Sequence, residues 1–291
     1  MKTRLHQQSS AALGVACIVS ASVVFSTAGA IVRNIDLPAW DIAFWRAALL
    51  SATILPLLAG RARRTWIDIR NAGRTLVLSG FLIASTMVAF IVALGLAPVA
   101  NVLIVYGATP FLTALFARLF LHEPLHRHTV LTMITAAGGF ALSVAGSLQA
   151  GAFAGMAVAS IVTLAMSANN VLVRHRRDVG MAPSLMLAGV IAALVALPFA
   201  HPANVTLRQL PWLLALGPGQ LAVGFLLYMA ALKHMPAART ALLALLEPVL
   251  GPIWVWEIFG ERPDGLTLLG GAIVIASAAA NVWLDSRRST G

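Results

Sequence analysis

The stretch ALGLAPVANVLIVYGATPFLTALFARLFLHEPLHRHTVL, residues 93–131, aligns without a gap onto ALKHMPAARTALLALLEPVLGPIWVWEIFGERPDGLTLL, residues 231–269. The offset is constant at 138, and Ala93 meets Ala231, Leu94 Leu232, Pro98 Pro236, Ala100 Ala238, Pro110 Pro248, Glu123 Glu261 and Leu131 Leu269. Prolines and an acid in register do not follow from apolar composition alone. The chain is therefore one unit of roughly 140 residues written twice, far longer than the ~20–50-residue period of a soluble solenoid. A strongly apolar unit duplicated once points to the internal symmetry of membrane transport proteins.

Composition places both copies in a bilayer. The chain is 59% hydrophobic and 10% charged, with a mean hydropathy of +0.88, where a soluble domain carries about 25% charged residues. Ten apolar runs have the roughly 17–25 residues needed to cross the hydrocarbon. They fall near 11–32, 39–60, 74–95, 98–120 and 129–148 in the first half, and near 151–173, 183–200, 210–232, 237–258 and 265–285 in the second. The runs lack the period-two alternation of barrel strands, so helix is the spanning form that satisfies their backbone. The expected fold is an all-α membrane protein of ten transmembrane helices in two inverted five-helix repeats, residues 1–148 and 149–291. Inversion follows from counting: after an odd number of spans, the second copy enters from the opposite face.

Charge sets the orientation. With the amino terminus inside, sixteen Lys and Arg fall on inner segments, and four, Arg33, Arg46, Arg208 and Arg262, stay outside. Basic short loops remain cytoplasmic, so both termini are expected in the cytoplasm of a multi-pass cytoplasmic-membrane protein. The same loops explain a net charge of +10 without nucleic acid, since no basic groove with interleaved aromatics accompanies them. Trp40, Trp66, Trp212, Trp254, Trp256 and Trp283 fall near span ends, as interfacial anchors do. A cleaved leader ending at Ala28-Gly29-Ala30 would leave nine spans and unmatched halves, so the first run is read as a span. Cys17 lies within it, and a lone cysteine forms no intramolecular disulfide.

Ionisable residues inside spans are costly and become candidates for function unless they can reach headgroups. By that test Arg33, Arg46, Arg118, Arg174, Lys233, Arg239 and Glu257, all close to span ends, are read as interfacial. Glu247 sits midway along the ninth span, and Pro248 after it frees a backbone carbonyl. Its equivalent in the first half is Thr109, next to Pro110. Helices broken at matching positions in two halves mark a transport site near the midplane. The candidate substrate-binding residues are Thr27, Ser85, Tyr106, Thr109, Ser167, Asn169, Gln220, Tyr228 and Glu247, with helix breaks at Pro110 and Pro248. Ser26, Thr86 and Asn170 lie among the same polar groups. Spans 5 and 10 carry Ala137, Ala141, Ala145 and Ala272, Ala276, Ala280 at helical spacing, with little polar beyond serine and threonine, and are read as packing or dimer surfaces.

His122-Glu123-Pro124-Leu125-His126 spells H-E-x-x-H, a zinc signature that needs both histidines on one continuous helix. Pro124 falls where span 4 should end, and the second copy has no histidine there, so neither metal nor other cofactor is expected. No Walker, G-x-S-x-G or dinucleotide pattern is present, and no catalytic residues are assigned.

The run Leu246-Glu247-Pro248-Val249-Leu250-Gly251-Pro252 to Ile258-Phe259-Gly260-Glu261-Arg262-Pro263, followed by Leu269-Gly270-Gly271, resembles the second repeat of EamA-type proteins of the drug/metabolite transporter superfamily. Ala93-Leu94 through Pro98 to Pro110 and Glu123 is similar to the first repeat, and Phe44-Trp45-Arg46 to its second helix. The resemblance implies a central cavity lined mainly by spans 1, 3, 4, 6, 8 and 9, and export of amino acids or other small metabolites. It places Glu123 and Glu261 at the family's acid position, with His122 in place of the usual glycine, and both acids are read as structural. The family's Trp-Gly in the first helix is replaced by Phe25-Ser26-Thr27. The resulting expectation is alternating access about a midplane site, with a small-molecule substrate, the lipid bilayer and protons as partners, as a monomer or homodimer. A membrane-embedded enzyme or sensor using the same cavity, and an importer or drug exporter, are the alternatives.

Overall fold

The computed structural model describes residues 2–32, 34–97, 99–145, 153–260, 262–263 and 265–290. Arg33, Pro98, Glu261 and the proposed junction between the halves lie outside them. Every element among the described residues is helical, and ten stretches are long and apolar enough to cross a membrane. These are span 1 (Ser10–Val32), span 2 (Ala39–Ala59), span 3 (Arg74–Leu96), span 4 (Asn101–Leu121), span 5 (Arg127–Ala145), span 6 (Phe153–His175), span 7 (Ala182–Phe199), span 8 (Leu210–His234), span 9 (Ala237–Phe259) and span 10 (Gly265–Asp285). The chain is a multi-pass membrane protein of two five-helix repeats.

The helix neighbours reveal the symmetry. Span 3 packs on span 6 and span 1 on span 8, while spans 2 and 7, 4 and 9, and 5 and 10 pair with each other. Exchanging the halves turns the first of these pairs into the second and returns each of the last three to itself. A pseudo-two-fold axis relating the repeats produces this pattern.

Four spans are irregular, and their sequences say why. Span 4 is two helices, Val99–Tyr106 and Thr109–Phe116, ending in a π-helical turn at Ala117–Leu121. Span 9 is likewise split into Ala237–Ala244 and Leu246–Phe259. Each break precedes its proline, which has no N–H for the carbonyl one turn back. At Pro110 the released acceptor is the Tyr106 carbonyl, and the Thr109 hydroxyl donates to it at 2.6 Å. Span 8 carries a π-helical segment at Ala215–Ala222 around Pro218. Span 1 is interrupted at Thr27, whose hydroxyl donates to the Val24 carbonyl at 2.7 Å.

Spans 5 and 10 meet closely, but not through the alanine stripes. A Cβ on Gly139 would lie 2.7 Å from Ile273, and one on Gly270 would lie 2.3 Å from the Gly139 carbonyl oxygen. The interface also carries a polar ladder, Thr135 to Ser277 at 2.9 Å and the Asn281 amide to Thr132 at 2.9 Å. Ala272, Ala276 and Ala280 face outward instead. The alanine spacing gave a stripe but not its azimuth, and Asn281, wholly buried, is the polar residue that expectation omitted. The connector after span 2 is also ordered: Ala62–Ala72 is a helix with Trp66 and Ile67 exposed among arginines, as in an interfacial helix. It is fastened by Asp68, which accepts from the Gly180 N–H at 3.1 Å.

Candidate functional site

The breaks in spans 4 and 9 bring Tyr106, Thr109 and Glu247 to the middle of the bundle. Span 6 fills the space beside span 4 with a polar stripe. Thr163 donates to the Val105 carbonyl at 3.1 Å, Ser167 to the Thr109 carbonyl at 3.2 Å, and the Asn170 amide to the Thr113 hydroxyl at 3.3 Å. Arg174 continues the same stripe, its Nε donating to Glu123 at 2.7 Å. Residues spaced four, three and four apart share one helix face, so a single side of span 6 supplies all four contacts. Three of these donors close off polar groups around the broken helix, as an apolar surrounding requires.

Glu247 makes no hydrogen bond among the described residues and is half-buried. Tyr228 is buried and stands beside Asn170. From span 8, Gln220 sends its amide N–H to the Phe25 carbonyl at 3.2 Å and leaves its carbonyl oxygen without a partner. The Asn170 carbonyl oxygen is also unpartnered. On span 1, Ser26 accepts from the Trp254 indole at 2.8 Å, so Trp254 tethers spans 1 and 9 and does not serve as an interfacial anchor. A small cleft between spans 2, 3 and 7, lined by residues that include Trp40, Arg46, Met87 and Ala196, reaches Arg46.

The other candidates are turned elsewhere. Asn169 accepts from Ser79 at 2.7 Å, and Ser79 also donates to Ser184, forming a buried knot between spans 3, 6 and 7. Ser85 and Thr86 bond back to their own helix, at the Phe81 and Ile83 carbonyls. Thr27 does the same. Tyr106, Thr109 and Ser167 meet at the break in span 4, while Gln220 lies between spans 8 and 1.

Three arginines expected to reach headgroups do not. Arg174 holds Glu123, and its terminal nitrogen donates to the Leu232 and Lys233 carbonyls at 3.2 and 3.0 Å. Glu123 in turn accepts from the Ala237 N–H at 3.3 Å, so one ion pair ties the ends of spans 4, 6 and 8 to the start of span 9. Arg239 is buried and pairs with Asp285. Arg46 lines the cleft between spans 2, 3 and 7, its Nε buried without a hydrogen-bond partner. Distance from a span end gives depth, whereas the partner is set by which way the helix is turned. Arg118 and Glu257 are exposed, as the interfacial reading requires.

The H-E-x-x-H stretch is not a helix. The span ends at Leu121, and His122 has left-handed backbone at φ 54°, so the two histidines are not one helical turn apart.

A family model described as the EamA-like transporter family matches residues 12–145 and 152–283. The pseudopaline exporter CntI of Pseudomonas aeruginosa (strain UCBPP-PA14) is 29% identical over 279 residues, covering 92% of this chain and 95% of that protein. The S-adenosylmethionine uptake transporter of Rickettsia bellii (strain RML369-C) is 24% identical over 257 residues, 86% of each chain. One solved crystal structure superimposes with a TM-score of 0.82 at 18% identity, covering 96% of this chain and 98% of the other, a likeness of fold.

Proposed function

The chain belongs to the EamA-like transporter family, and from that membership we propose that it exports amino acids or other small polar metabolites across the cytoplasmic membrane by alternating access. The observation that carries this reading is the pair of matched helix breaks, at Gly107–Ala108 and at Leu245, in spans 4 and 9, which pack on each other. A split helix presents backbone ends and polar side chains to a solute at membrane depth, where an unbroken one presents only its apolar surface. The two repeats then rock about that point. With both termini in the cytoplasm, the Glu123–Arg174 tie lies on the cytoplasmic side, and its rupture opens that side. Tyr106, Thr109, Ser167, Asn170, Gln220, Tyr228 and Glu247 line the path, and the solute leaves chemically unchanged, so the protein is not an enzyme.

Import is the second reading, favoured by likeness to a relative named as an uptake transporter. Purified protein in sealed vesicles with labelled amino acids tests the proposal: it predicts movement across the membrane without modification, and chemical turnover of the label would reject it. Proton coupling through Glu247 predicts that Glu247→Gln abolishes the pH dependence of transport at unchanged membrane abundance. Retained pH dependence would reject that role.

A further inference from the structure

The helix Ala62–Ala72 is held close to the spans at both of its ends. Gly60 and Arg61 alone separate it from span 2, and Gly73, at φ 52°, separates it from span 3. Joints this short keep the helix beside the ends of two membrane-spanning helices, at the level of the headgroups. Residues three or four apart share one side of a helix, and the two sides here differ. On one, Thr65 donates to the Leu58 carbonyl at 2.9 Å, Asp68 accepts from the Gly180 N–H at 3.1 Å and Ala72 is buried. On the other stand Arg63, Trp66, Ile67 and Arg70, all exposed.

Asp68 is the single acid between residues 61 and 74, and it is turned toward the protein. The outward side is left wholly basic, with Arg64 beside it and Arg61 and Arg74 at the joints. Arginines anywhere in the connector would satisfy the rule that basic loops stay on one side of the membrane. The apolar pair does not follow from that rule: Trp66 and Ile67, 68% and 47% exposed, lie between Arg63 and Arg70 on the same side. Laid on a bilayer, the ring and the branched chain enter the boundary of the acyl chains, while a guanidinium at either end meets phosphate oxygens through parallel N–H donors. A headgroup with no cation of its own gains most from that arrangement. The face is also fixed in advance, because the Arg176 guanidinium donates to the Asn71 carbonyl and to the Thr75 hydroxyl at 3.3 Å.

We propose that Arg63, Trp66, Ile67 and Arg70, with Arg64 alongside, form a docking surface for anionic phospholipid headgroups of the adjoining leaflet. The site lies outside the transport path and does not depend on the transporter reading.

The test uses the full-length protein on a Cys17→Ser background, with Ile67→Cys carrying a bimane label. It is placed in vesicles of equal phosphatidylglycerol and phosphatidylcholine, one or the other brominated near the headgroup end of its acyl chains so that contact quenches the label. Brominated phosphatidylglycerol should quench roughly threefold more strongly or better. That preference should fall at least twofold at about 0.5 M salt, where exposed charges are screened within roughly 4 Å, and should vanish when Arg63→Gln, Arg64→Gln and Arg70→Gln are combined. The same label at Leu207→Cys, in the exposed connector before span 8, should show no preference. Equal quenching by the two lipids at residue 67, a preference that survives the triple replacement, or the same preference at residue 207 would overturn the proposal. A label quenched by neither lipid would place this face in water, as a soluble acidic partner requires, and would overturn it too. Should the triple variant fold poorly, the salt response of the parent decides, and a preference unchanged by salt counts against the site. No transport is measured, so failure here leaves the transporter reading intact.

Discussion

His122 and Gly260 occupy equivalent places in the two halves, each just past a helical segment, with left-handed backbone at φ 54° and 73°. Glycine adopts that region freely, whereas an L side chain there costs about 1–2 kcal/mol from its Cβ against the neighbouring carbonyl. The His122 side chain is exposed, so little contact is lost with it. His122→Gly is expected to raise stability by about 0.5–1 kcal/mol, net of glycine's greater unfolded-chain entropy, read as a higher melting temperature in detergent. Transport should be unchanged, an outcome that a zinc-ligand role for His122 would forbid. At this scale the sequence disclosed identity and depth but not direction. Glu247 stood out because it is far from either end of its span. Arg174 and Arg239 lie nearer to ends and were read as headgroup ligands, although their partners, Glu123 and Asp285, are in other parts of the chain. One directional signal was available. Thr163, Ser167, Asn170 and Arg174 share a helix face by spacing alone, and that periodicity separates Asn170, beside Tyr228, from Asn169, which is turned to Ser79.

Elements translate those residues into motion. The ten spans and both proline breaks were legible, because apolar length and the missing proline N–H act locally. The π-helical turns in spans 4 and 8 were not, since the extra residue in a turn is settled by packing against neighbouring helices. The break in span 4 is closed by hydroxyls from Thr109, Thr163 and Ser167, whereas near the break in span 9 the Leu243 carbonyl receives a longer bond from Ser22 at 3.4 Å. Span 9 is therefore the more easily straightened. Pro248→Ala restores one backbone donor, worth about 0.5–1.5 kcal/mol, and should raise the melting temperature while lowering the transport rate. A faster transporter, or no change in rate, would show that the break is not used. The Glu123 tie acts at the same scale. Glu123→Gln removes the charge facing Arg174, at a cost of about 1.5–3 kcal/mol, and weakens only the ends that meet on one face. Hydrogen exchange should rise at the ends of spans 4, 6 and 8 and the start of span 9, with the 5–10 interface unaffected. Uniform loosening would contradict a local fastening.

For the whole molecule, two statements from the repeat have to agree. The exchange of packing pairs between halves demands a pseudo-two-fold axis, and five spans per half lay that axis in the membrane plane, because an odd number of crossings reverses the second copy. An even total then returns the carboxyl terminus to the face of the amino terminus, and from the sixteen cations on that side we propose that it is the cytoplasmic face. Cys17, half-buried in span 1, is the single cysteine, so a Cys17→Ser background permits placed labels. Thr3→Cys and Ser289→Cys report the two ends, and Asn204→Cys, on an exposed turn between spans 7 and 8, reports the opposite face. In sealed right-side-out vesicles, an impermeant maleimide should modify residue 204 and neither terminus until detergent is added. Labelling of both termini and not of 204 would reverse the orientation and move the Glu123–Arg174 tie to the outer side. Labelling of one terminus alone would require an odd number of crossings, and with it the axis, the facing of the two breaks and the shared site between them would all fail together.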